Sequence, residues 1–63
     1  MKKLVLDYLE RTGQSQAELA RSLKVKPEQL NRWLHGAHTP SVASLKRLAA
    51  CTGIKLERLA EGL

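Results

Sequence analysis

"SQAELARSLKVKPEQLNRWLHG", residues 15–36, decides how this chain folds. Apolar side chains recur three and four apart, first as Leu19, Ala20 and Leu23, then as Leu30, Trp33 and Leu34. That is the spacing of two short amphipathic helices. "SQAE" at 15–18 reads as a capping box, in which the Ser15 hydroxyl accepts from the Glu18 amide and the Glu18 carboxylate reaches back. Pro27 suits the first position of the second helix, where its missing N–H would have no partner anyway. Only Lys24, Val25 and Lys26 separate the two helices. Ala20 is small where the helices cross closest, and Val25 plugs the angle between them. Leu30 and Trp33 anchor the second helix and leave Pro27, Glu28, Asn31, Arg32 and His35 facing outward.

The same periodicity continues on both sides, as Val5, Tyr8 and Leu9, then Leu45, Leu48 and Ala49, then Leu56 and Leu59. Nothing alternates with the period of two that marks strands, and no hairpin dipeptide occurs. The reading is an all-α, compact five-helix domain spanning residues 1–63, with helices over 2–12, 16–23, 27–35, 42–52 and 55–61. Gly13, Gly36, Gly53 and Gly62 each fall just past a helix, where a left-handed cap is wanted. Ser41, after Pro40, is placed to cap the fourth helix.

Eleven Lys and Arg against six Asp and Glu give a net charge of +5 on 63 residues, which favours a polyanionic partner. One Trp, one Tyr and no Phe argue against a base-stacking platform for single strands. The single Cys51 cannot form an internal disulfide, so the chain reads as cytoplasmic, with Cys51 a small buried apolar residue. No apolar run is long enough to span a membrane. Leu4-Val5-Leu6 is cut off at once by Asp7, too short for a signal peptide. No catalytic set is visible, and His35, His38 and a distant Cys51 do not make a closed metal site. No enzyme activity, cofactor or metal is expected. Lys46, Arg47, Lys55 and Arg58 read as a solvated face.

A helix held along one edge, with its polar N-terminal half projecting, is the geometry that enters a DNA major groove. Together with "TPSVASLKRLA" at 39–49 and "GIKLERL" at 53–59, the opening stretch resembles the Cro and lambda-repressor (XRE-type) helix-turn-helix proteins. The resemblance runs from about Leu4 to Leu59. It implies a lambda-repressor-like fold with the helix-turn-helix at the second and third helices. It also implies a phage or prophage Cro- or repressor-like regulator that binds double-stranded operator DNA as a homodimer.

On that resemblance, Gln16, following its N-cap Ser15, grips a phosphate. Pro27, Glu28 and Arg32 face base edges, Lys26 and Gln29 flank them near the backbone, and His38 and Thr39 sit in a loop that touches phosphate. The side-chain chemistry fits these roles. The Pro27 ring offers an apolar face to a thymine methyl, Glu28 can accept from cytosine N4, and Arg32 can donate twice to guanine. Asn31 and His35 lie toward the groove wall. The plainer reading of Glu28 and Arg32, four residues apart, is an exposed intrahelical pair worth about 0.2–0.5 kcal/mol.

The chain departs from the family pattern in several places. Lys24 stands where glycine is usual, Gln14 replaces an apolar residue, and Thr52 replaces a leucine. Leu9 and Leu34 occupy the positions of a frequent arginine–glutamate pair, so both charges are missing together; the two are expected to touch and to be buried. Leu56, Leu59 and Leu63 are candidate contacts of a weak dimer. The alternative to a DNA regulator is an antitoxin or adaptor that uses this fold to hold a protein partner. A large apolar patch on the last two helices would favour that alternative.

Overall fold

The computed structural model describes residues 1–61, which form five helices: α1 (Lys2–Thr12), α2 (Gln16–Leu23), α3 (Pro27–Leu34), α4 (Val42–Thr52) and α5 (Leu56–Glu61). No strand occurs among the described residues. The predicted boundaries differ by one residue at two places. The third helix stops at Leu34 with His35 as its cap, and the last starts at Leu56. Both differences are end effects, where capping residues share the helix hydrogen bonds. No helix among the described residues is long and apolar enough to cross a membrane.

Local chemistry sets each terminus. The capping box at α2 is complete: the Glu18 amide donates to Ser15 Oγ and the Ser15 amide to Glu18 Oε1, each at 3.1 Å. Ser41 caps α4 by accepting from the Ser44 amide at 3.1 Å. The turn after α2 is a Schellman arrangement, with the Val25 amide on the Ala20 carbonyl at 3.0 Å and the Lys24 amide on Arg21 at 3.1 Å. It requires a left-handed residue, and Lys24 supplies it at φ 60°. The turn after α3 repeats the pattern with Gly36 at φ 75°, the Ala37 amide bonding Arg32 at 2.9 Å and the Gly36 amide bonding Trp33 at 3.2 Å. Gly62 lies outside the described residues.

The core is one cluster drawn from all five helices: Val5 and Leu9; Leu19, Ala20 and Leu23; Leu30, Trp33 and Leu34; Leu45 and Leu48; and Leu59. Six of the larger side chains are less than 2% exposed, Leu30 among them. Burying one such leucine contributes about 1.5–3 kcal/mol. Helix α2 packs against α3 and α4, α4 against α5, and α1 against α3. Leu9 and Leu34, 6% and 4% exposed, both belong to the cluster. Thr52 is also buried; its hydroxyl donates to the Leu48 carbonyl at 2.7 Å and accepts from the Ile54 amide at 3.3 Å. A polar group therefore enters the core with its hydrogen bonds satisfied, which removes most of its burial cost.

Two expectations are corrected. Cys51 is exposed rather than buried, because it lies off the Leu45, Leu48 and Thr52 stripe of α4 that faces the core. Its Sγ lies 4.0 Å from the Ser22 carbonyl, and its own carbonyl accepts from Tyr8 Oη at 3.2 Å. Leu59, offered as a dimer contact, is 0% exposed and closes the monomer core, so its side chain is not available to a second chain. Leu56 is half-buried against the same core, and Leu63 lies outside the described residues.

Candidate nucleic-acid interface

Helix α3 is fixed by Leu30, Trp33 and Leu34, all on one side and all buried. The remaining five of its eight residues, Pro27, Glu28, Gln29, Asn31 and Arg32, are exposed, as are Lys26 before it and His35 after it. None of these seven side chains is engaged in a hydrogen bond among the described residues. The polar face of α3 is thus rigidly mounted and chemically uncommitted.

The helix starts add backbone donors beside it. At α2, Glu18 and Leu19 have partners on Ser15, which leaves the Gln16 and Ala17 amides as the unbonded donors of the first turn. Gln16 is half-buried at that corner, so its side chain has limited freedom. The Ser15 oxygen is taken by the cap, and only its hydroxyl proton is free to donate outward. At α3, Lys26 provides no side-chain cap, Pro27 has no N–H, and the Gln29 and Leu30 amides both bond the Lys26 carbonyl, at 3.0 and 3.2 Å. Among the described residues, the backbone donors left at that end are the Lys26 and Glu28 amides. A phosphate at the start of α3 would meet these two N–H groups and the Lys26 ammonium.

His38 and Thr39 are exposed in the 35–41 connection at the other end of α3. They line a groove of about 330 Å³ together with Trp33 and Leu34 of α3 and Lys2 and Lys3 of α1. The two lysines belong to no motif in the sequence, and the packing of α1 against α3 brings them to the groove. Arg47 was also missed. Its side chain is exposed but not free: Nη1 donates to the Leu23 carbonyl at 3.2 Å, a contact between residues 24 apart that no local pattern announces.

The helix-turn-helix family model matches residues 7–59. That span includes α2 and α3, the turn between them, all of α4 and the start of α5. No curated protein and no solved structure matches the chain significantly.

Proposed function

The chain belongs to the helix-turn-helix family of DNA-binding regulators, of the Cro and lambda-repressor type, and from this we propose that it is a sequence-specific, Cro- or repressor-like regulator that lays α3 in the major groove of operator DNA. The observation that carries this reading is the state of α3, with three apolar residues buried and every polar side chain exposed and uncommitted. A net charge of +5 supplies the long-range attraction to a polyanion. In this reading Glu28 and Arg32 meet base edges, Pro27 a thymine methyl, and Asn31 and His35 the groove wall. Ser15, Gln16, Lys26, Gln29, His38 and Thr39 meet the backbone.

The same reading includes a weak homodimer. The longest dimension is 24 Å, which covers about seven base pairs at 3.4 Å each, too few for useful selectivity by one copy. Leu56 is the side chain on α5 that remains available for the contact. The adaptor or antitoxin reading has less support, since Val42, at 69% and at the start of α4, is the exposed large apolar side chain of the described residues, and one side chain is not a large patch.

Selection of bound sites from a random duplex pool tests the proposal. Recovered sequences should converge on an inverted repeat with half-sites about 10 base pairs apart, centre to centre. A pool that shows no enrichment overturns it. Sedimentation at low and high protein concentration tests the dimer, and a strict monomer that binds DNA one-to-one would rule it out.

A further inference from the structure

We infer that the groove between the start of α1 and the 35–41 loop is a second backbone-binding site, in which Lys2 and Lys3 take phosphates of the duplex on the far side of α3. This rests on the DNA-binding reading above and extends it to residues outside the helix-turn-helix.

Eight residues of α3 span about 12 Å, close to the width of the major groove, so a seated α3 brings each end near a sugar–phosphate backbone. The two ends are not equally equipped. The N-terminal end has Lys26, the Glu28 amide and the positive pole of the helix. The C-terminal end has the negative pole; its last turn holds Arg32, which the reading above gives to a base edge, and the sequence from 33 to 45, "WLHGAHTPSVASL", adds no Lys or Arg for the backbone. A phosphate arriving there would meet His38, Thr39 and an unfavourable helix end.

The missing cations are supplied by a different element. Lys2 and Lys3 line the same groove as His38 and Thr39, both are exposed, and among the described residues no carboxylate lines it. Its apolar lining, Trp33 and Leu34, is buried core. The groove is continuous with the loop at the end of the reading helix. Two cations, the hydrogen-bond donors of His38 and Thr39 and an edge shared with the proposed interface fit a phosphodiester strand.

The test uses the whole chain and a labelled duplex of about 20 base pairs carrying the pool-selected site, titrated by anisotropy across a salt series. Each phosphate neutralised contributes about 0.9 to the slope of log K against log salt. Lys2→Gln with Lys3→Gln should lower the slope by about one to two units. Lys2→Arg with Lys3→Arg should restore it, which separates loss of contact from loss of fold. Arg11→Gln with Lys46→Gln removes the same charge elsewhere, at exposed positions toward the far end of α1 and on α4, and should leave the slope near the native value. An unchanged slope for the Lys2 and Lys3 variant overturns the inference, and so does an equal drop in the control, which would make the effect one of net charge. If the native chain binds no duplex at all, the DNA reading falls and this site falls with it.

Discussion

Arg47 Nη1, on α4, donates to the carbonyl oxygen of Leu23, the last residue of α2, at 3.2 Å. This contact completes the end of a helix. The final four carbonyls of α2 have no partner within it. Ala20 and Arg21 are bonded by the Val25 and Lys24 amides, and Ser22 is approached by Cys51 Sγ at 4.0 Å. Leu23 is left to Arg47, whose charge also lies at the negative pole of the helix. The guanidinium thereby ties α4 to the turn that sets the angle between α2 and α3. Arg47→Met, which keeps most of the stem, should destabilise by about 1 kcal/mol, below the usual worth of a charged hydrogen bond because Arg47 is solvent-exposed. Urea denaturation measures it, and native stability in the variant would show that the contact contributes nothing.

Lys24 holds φ 60° and ψ 37°, a left-handed conformation that costs a side-chain-bearing residue about 1–2 kcal/mol relative to glycine. Lys24→Gly relieves this strain but loosens the unfolded chain, which offsets part of the gain. The net should be a stabilisation of about 0.5 kcal/mol, raising the melting temperature by a few degrees. Lys24→Val should destabilise by more than about 1 kcal/mol, because a β-branched side chain fits that conformation worst. Thermal melts of both variants should bracket the native chain, and a Lys24→Val variant as stable as native would contradict the strain argument.

Leu9 and Leu34 are buried in one cluster on two helices that pack together, α1 and α3. Leu34→Glu alone should destabilise by about 3 kcal/mol or more, as an unpaired buried charge does. Leu9→Arg alone should also be costly. The double variant should recover part of the loss, because the two new charges can pair. A double-mutant cycle that is additive within about 0.5 kcal/mol would mean that the two positions do not touch.

The parts of this fold legible in the sequence are those made by neighbours along the chain. Ser15 with Glu18, Pro27, Ser41, and the glycines at 13, 36 and 53 mark helix ends through contacts a few residues long, and the observed ends follow them within one residue. The outward face of α3 was legible for the same reason, since Leu30, Trp33 and Leu34 fix its inward side. What was not legible depends on how α4 and α5 rotate against the rest. Small or mixed residues such as Cys51 and Arg47 do not declare their side of a helix, and they proved exposed and bonded to α2. Leu59 has the same apolar character as a dimer contact would, and only packing assigns it to the core. The Lys2–His38 groove joins residues that are distant in sequence, with no pattern between them.

The final prediction separates reading from holding on α3. Arg32 is exposed one turn beyond Glu28, with no hydrogen-bond partner in the protein among the described residues, so its five donors are available. Lys26 lies just before the helix, where its own amide and that of Glu28 are left uncommitted. A point charge at a helix start favours a phosphate, whereas a planar fork in the middle of the face can take guanine O6 and N7 together. Arg32→Ala should therefore cost about 1–3 kcal/mol on the selected site and relax the preference at one base pair. Lys26→Gln should weaken all duplexes alike and lower the salt slope by about one unit. Affinities for the selected site and its single-base-pair variants, measured at several salt concentrations, distinguish the two. If Arg32→Ala weakened every sequence equally, Arg32 would be holding phosphate and base reading would have to fall to Glu28 and its neighbours.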